Sequence, residues 1–265
     1  MSAVLIIGAS SSIGAALATY YLQQGLTVIC LSRSAADFSD PRLQVIKAPA
    51  LAEPTDWASH QSFFSTVIEV VQQQQVGLIF NCIGWLHQQG EQKLSPEKGL
   101  IQSSGALLSK TLLLNLEVPV LYLQGLWPYL TKTPGIRYLQ LSAKVGSISD
   151  NQLGGWYSYR SAKAALNQWI KTASIELKRS NKTAALVTLH PGTTDSALSA
   201  PFQRNLPAGQ LQSPAQTAQH LAEVAQQLSI SKIFLAFSGL EGLSLPPLEA
   251  ALCGNFVIGY TGQGG

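Results

Sequence analysis

Val4-Leu5-Ile6-Ile7-Gly8-Ala9-Ser10-Ser11-Ser12-Ile13-Gly14 is the stretch on which the fold turns. Val4 to Ile7 is an unbroken, mostly β-branched apolar run, the pattern of a strand buried on both faces. The small residues after it lead straight into Ile13 to Gln24, where apolar side chains recur at helical spacing. A Gly- and Ser-rich turn at that junction lets backbone come close to a ligand. The amides and the positive dipole end of the following helix suit a phosphate. Gly8, Ser10, Ser11, Ser12, Ile13 and Gly14 are therefore candidate phosphate-cradle residues. An ordinary strand-to-helix turn with a serine cap has the same composition, and a glycine pair alone does not separate the two.

Outward from this turn, short apolar runs alternate with segments of helical period. The pattern predicts strands over Thr27–Leu31, Gln44–Ala48, Gly77–Asn81, Ile136–Ser142, Ala184–Leu189 and Ile233–Phe237. Helices are predicted over Trp57–Gln73, around Ser109–Leu130, and over Tyr159–Lys178 and Pro214–Ser229. Repeated β-then-α order implies an α/β fold: a doubly wound, Rossmann-type parallel sheet of about seven strands in three αβα layers, one domain over residues 1–265. Leu86 to Ser104 reads as a long surface excursion of the kind that borders a site.

At 265 residues, with 46% hydrophobic and 12% charged side chains and a mean hydropathy of +0.16, the chain has the composition of a well-buried globule. Its 17 basic and 14 acidic residues are spread along the sequence, which argues against a nucleic-acid partner. Thr111 to Leu130 is interrupted by Asn115, Glu117, Pro119, Gln124 and Pro128, so no membrane span is expected. Cys30, Cys82 and Cys253 lack metal-like spacing and sit in apolar surroundings, as reduced cytoplasmic thiols do, and no metal site is expected.

At the end of the second strand, where a dinucleotide fold holds an acidic residue for the ribose 2′-hydroxyl, the chain has Ser32-Arg33. A guanidinium meets a 2′-phosphate with charge-assisted hydrogen bonds, which favours NADP(H), although an arginine there can equally be a solvated surface charge. Tyr159-Arg-Ser-Ala-Lys163 places a phenol and an ammonium on one helix face, where the cation is expected to lower the phenol pKa. The spacing alone is common in helices.

These segments together resemble the short-chain dehydrogenase/reductase family over Met1 to about Ser229. The glycine turn is similar to the family's T-G-x-x-x-G-x-G, with Ile7 for Thr and Ser12 for the middle Gly. Asn81-Cys82-Ile83-Gly84 is similar to N-N-A-G, Asn115 falls where the family props a proton-relay water, and Pro191-Gly192 follows the sixth strand. The resemblance, most marked to the C-factor and sniffer-type carbonyl reductases, implies hydride exchange between nicotinamide and a small carbonyl or alcohol substrate. It implies Tyr159 as proton donor or acceptor, Lys163 on the ribose, and Thr194 and Ser196 near the nicotinamide. It also implies a homodimer or homotetramer. Where the family has a catalytic Ser-Ser pair the chain reads Ser142-Ala143, leaving Ser142 or the loop residue Ser147 as candidates. That loss keeps open a second reading, a cofactor-binding regulatory protein with little turnover.

Trp85, Trp156 and Tyr157 are candidate pocket aromatics, whereas His87 and His190 are expected to be structural. The atypical tail, residues 230–265, carries Glu241-Gly-Leu-Ser-Leu-Pro-Pro-Leu-Glu249-Ala, which resembles the E-G-x-x-x-P-x-x-E-A donor-sugar motif of GT-B glycosyltransferases.

Overall fold

Strand β1 (Ala3–Ile7) is buried along its whole length, and its side chains divide by parity: Ala3, Leu5 and Ile7 enter one core, Val4 and Ile6 the other. The same division holds in β2 (Thr27–Ser32), where Ile29 and Leu31 face one way and Val28 and Cys30 the other. Period-two alternation between two apolar layers is what a sheet covered on both faces requires. The structure, a computed structural model, describes residues 2–33, 40–51, 56–88, 94–230, 233–236 and 256–259.

The first face is covered by α2 (Gln61–Gln73), α4 (Val118–Lys132) and α5 (Tyr157–Ser180), and the second by α1 (Ser12–Gln23) and α6 (Pro214–Ile230). Beneath them β3 (Leu43–Lys47), β2, β1, β4 (Val76–Asn81), β5 (Arg137–Leu141) and β6 (Ala185–Leu189) pair in that order, all parallel. The chain reverses its direction of growth between β1 and β4, and the crevice at the carboxyl ends of those strands is where such a sheet takes its ligand.

The expected Rossmann-type αβα architecture holds, with six strands instead of about seven in this sheet. The run expected as the seventh, β9 (Ile233–Ala236), pairs instead in parallel with β10 (Phe256–Gly259). Both are short apolar runs, and each satisfies the other's ladder. The expected helix around Ser109–Leu130 starts earlier and is broken: α3 (Gly105–Leu112) passes through a π-helical stretch, Leu113–Glu117, into α4. Pro119 supplies the reason, because it has no N–H to offer the carbonyl of Asn115 four residues before it. By composition the 28-residue run Gly105–Lys132 is long and apolar enough to cross a membrane. Here Leu121, Leu126 and Leu130 are instead buried in the core of the first face.

Two contacts fix the helices that carry the site. The Asn181 amide at the end of α5 donates to the carbonyls of Leu130 and Thr133, 2.8 and 2.7 Å away, tying α5 to the end of α4. Gly125 lets α4 lie directly on the Phe64 ring of α2, since a Cβ there would fall 2.2 Å from a ring carbon.

Candidate active site

The glycine-rich turn is held by its own hydrogen bonds. Gly8 adopts a left-handed φ of +78° and donates to the Leu31 carbonyl at 3.0 Å. Ser11 caps α1, its hydroxyl accepting from the Gly14 amide at 3.0 Å and donating to the Gly8 carbonyl at 2.8 Å. No side chain fits at Gly14, where a Cβ would lie 2.5 Å from the Gly8 carbonyl oxygen. The turn therefore presents its backbone to the crevice.

A cleft of about 470 Å³ opens there. Of the predicted cofactor residues, Gly8, Ser10, Ser11, Ser32, Arg33, Cys82, Ile83 and Gly84 line it. Ser12, Ile13, Gly14 and Asn81 do not line it: the first three form the opening turn of α1, with Ser12 exposed, and Asn81 is buried. The Asn81 amide donates to the Tyr138 hydroxyl at 3.0 Å, and its carbonyl oxygen accepts from the Ile83 amide at 3.2 Å, which shapes the loop leading to Gly84. The sequence reading missed a stripe on the α3–α4 helix: Lys110, Leu114, Val118 and Tyr122, four residues apart, all face the cleft. That spacing, running through the neighbours of Asn115, was the available signal. The Lys110 ammonium donates to the Gln88 side chain at 2.8 Å and lies 5.9 Å from the Trp85 ring centre.

The lining includes two cations, Arg33 and Lys110, and no carboxylate. The Ser32 hydroxyl is buried beside Arg33 and has no hydrogen-bond partner among the described residues. An orphaned hydroxyl, two cations and a turn of small residues fit a dinucleotide bearing several phosphates.

At the far end of the crevice the predicted centre assembles around Gly84. A Cβ on Gly84 would sit 3.7 Å from both the Asn115 carbonyl oxygen and the Lys163 ammonium, so glycine leaves this meeting point open. Asn115 is fixed by accepting from the Trp85 amide at 3.0 Å and donating to the carbonyls of Trp85 and Thr111 at 2.8 and 3.0 Å. Lys163 lies 5.7 Å from the centre of the Tyr159 ring. Burial pushes the Tyr159 phenol above its ordinary range and lowers Lys163 to about 8. The expectation that Lys163 lowers the phenol is thus reversed in this structure. Desolvation acts on both groups, and it outweighs an ammonium held that far from the ring.

The remaining predicted residues are engaged elsewhere. The Ser142 hydroxyl donates to Asn167 of α5 at 2.6 Å, and Ser147 accepts from the Asp150 amide at 3.3 Å within its own loop. Pro191 and Gly192, the latter at φ +73°, turn the chain after β6. Thr194 faces inward, its hydroxyl 2.8 Å from that of Thr217, and Ser196 bonds to the Thr194 carbonyl at 3.3 Å. His87 bridges to the carbonyls of Ala197 and Leu198 at 3.0 and 3.1 Å. Trp156 sets its indole against Phe202 and Tyr159, with ring centres 4.7 and 6.1 Å apart, while Tyr157 is exposed.

The sequence pattern described as short chain dehydrogenase matches residues 2–207. The chain belongs to the short-chain dehydrogenase family. That is a family of oxidoreductases that use nicotinamide cofactors. It is 30% identical to C-signal of Myxococcus xanthus over 101 residues, which is 38% of this chain and 59% of that protein. Solved structures share the fold. Carbonyl reductase Sniffer of D. melanogaster superposes with TM-score 0.69 at 19% identity, over 87% of this chain and 92% of that one. A short-chain dehydrogenase/reductase from Burkholderia multivorans with bound NADP gives 0.66 at 19%, over 86% and 92%. A 3-ketoacyl-(acyl-carrier-protein) reductase from Brucella melitensis with NADH gives 0.65 at 17%, over 86% and 93%. These dehydrogenase matches give the tail's glycosyltransferase resemblance no support, and Glu241 to Glu249 lie outside the described residues, as does Cys253.

Proposed function

We propose that this chain is an NADP(H)-dependent oxidoreductase that interconverts a small carbonyl compound and its alcohol. The observation that carries the reading is a crevice lined by a phosphate-binding turn and two cations without a carboxylate, whose Gly84 end adjoins Asn115 and Lys163, with the Tyr159 ring beside Lys163. The Gly8–Gly14 turn would hold the diphosphate, Ser32 and Arg33 the 2′-phosphate, the Asn81–Gly84 loop and Lys163 the ribose, and the Pro191–Gly192 turn the nicotinamide end. NADPH, when bound, supplies the hydride. Tyr159 gives the proton to the carbonyl oxygen in reduction and takes it back in oxidation. Asn115 holds the loop that shapes the floor of the site through Trp85. We place the protein in the cytoplasm, as a homodimer or homotetramer acting on a small-molecule substrate.

The test is NADPH consumption across a panel of aldehydes and ketones, with Tyr159→Phe as control. Turnover that falls at least about a thousandfold in the variant, with NADPH still bound, supports the reading. Turnover equal in both proteins overturns it. The second reading, a cofactor-binding regulatory protein, draws on Ala143, which stands where the family has its catalytic serine, and on the engagement of Ser142 with Asn167. Tight NADPH binding without consumption on any carbonyl would favour it.

A further inference from the structure

The helix that carries Tyr159 and Lys163 begins in an unusual way. Gly154, Gly155 and Trp156 are consecutively left-handed, at φ +64°, +67° and +53°, and Trp156 makes no side-chain cap for the helix it precedes. A tryptophan holds that backbone conformation only where its surroundings enforce it. The cap comes from 61 residues away in sequence, from Glu97 in the Leu86–Ser104 excursion. The Glu97 backbone carbonyl accepts from the Trp156 amide at 2.5 Å. Its carboxylate accepts from the Ser158 amide at 3.2 and 3.3 Å and from the Ser158 hydroxyl at short range. Gly155 is needed beneath it, since a Cβ there would press on the Glu97 carbonyl at 3.3 Å. Glu97 is 2% exposed, and among the described residues no basic side chain forms an ion pair with it. A carboxylate buried without a cation is expensive unless hydrogen bonds and a helix dipole take the cation's place, as they do here.

We propose that Glu97 is a positioning residue for the reaction. By fixing Trp156 and Ser158, which lead into the catalytic phenol at the start of α5, it sets the direction of Tyr159 beside Lys163 and holds the Trp156 indole against it. Glu97 thereby serves the active site without touching substrate. This inference rests on Tyr159 being the proton donor.

The test compares Glu97→Ala, which removes the acceptors, with Glu97→Gln, which keeps a side-chain oxygen for Ser158, in the full chain with Tyr159→Phe alongside. In Glu97→Ala, kcat should fall at least about tenfold while NADPH affinity stays within about twofold, and Glu97→Gln should recover most of the loss. Amide hydrogen exchange at Trp156 and Ser158 should accelerate at least about tenfold in Glu97→Ala, with the sheet amides unchanged. Unchanged kcat in Glu97→Ala overturns the proposal. So does a loss of kcat matched by a loss of NADPH affinity and by faster exchange throughout the sheet, which would make Glu97 a general support of the fold. Should wild type and Tyr159→Phe prove equally inactive, it is the Tyr159 assignment that falls. The Glu97 latch is then decided by exchange alone, upheld by local acceleration and overturned by none.

Discussion

Lys163 shows how a single residue trades stability for chemistry. Its side chain is 3% exposed, and burial lowers it from the ordinary 10.5 to about 8. Between those two values the unfolded chain binds a proton that the folded chain does not, so stability rises with pH across that window. Below about 8 the folded protein carries the whole cost of the buried ammonium, roughly 3 kcal/mol. Lys163→Met should therefore be more stable than the parent at pH 7, by about 1–3 kcal/mol, while losing turnover; the gap should close toward pH 10. Denaturant titrations at the two pH values check this, and a variant less stable at pH 7 would contradict it. Tyr159 and Lys163 were legible because their spacing survives in sequence. The inward turn of Thr194 was not, because its partner Thr217 lies on a helix 23 residues on. Ser142 belongs with it: Ser142→Ala should cost about 1 kcal/mol of stability by leaving Asn167 short of a donor, with kcat within about twofold of the parent. A large selective loss of kcat would restore Ser142 to the chemistry.

Among the elements, the α3–α4 helix positions most of the site, and it was the least legible. Apolar periodicity announced one helix, whereas the π-helical stretch at Leu113–Glu117 follows from an N–H that Pro119 lacks, a local fact that periodicity does not register. The same helix bears the Lys110–Tyr122 stripe along the cleft. Its depth in the protein is set by Gly125 against Phe64. Gly125→Ala forces a methyl into the ring and should destabilise the protein by about 1–3 kcal/mol, with NADPH affinity falling as Lys110 and Leu114 move outward. Thermal denaturation and NADPH titration of that variant check both parts, and a neutral substitution would show that α4 is free to shift. The helix expected from Trp57 opens as a 3-10 turn over Trp57–His60 and becomes α-helical only at Gln61; the other helix boundaries were readable to within a residue or two, because caps such as Ser11 sit at the ends of strongly periodic runs.

Across the whole molecule, sequence order alone pointed to the doubly wound sheet, since β-then-α repetition leaves few other solutions. The seventh strand was misplaced because an apolar run states that it will pair but not with what: Ile233–Ala236 met Phe256–Gly259 in place of the edge of the main sheet. The homo-oligomer proposed above would bury Trp169, which is 49% exposed on α5. Trp169→Glu should shift sedimentation toward monomer, whereas an unchanged sedimentation coefficient would place any subunit contact elsewhere. The account as a whole stands on what enters the crevice. Fluorescence titration of the wild-type protein and of Arg33→Ala with NADPH and with NADH tests that most directly. Tight NADPH binding that weakens roughly 10- to 100-fold in the variant, with NADH little affected, is the predicted result. No binding of either nucleotide, or equal affinity for both that Arg33→Ala leaves untouched, would contradict it.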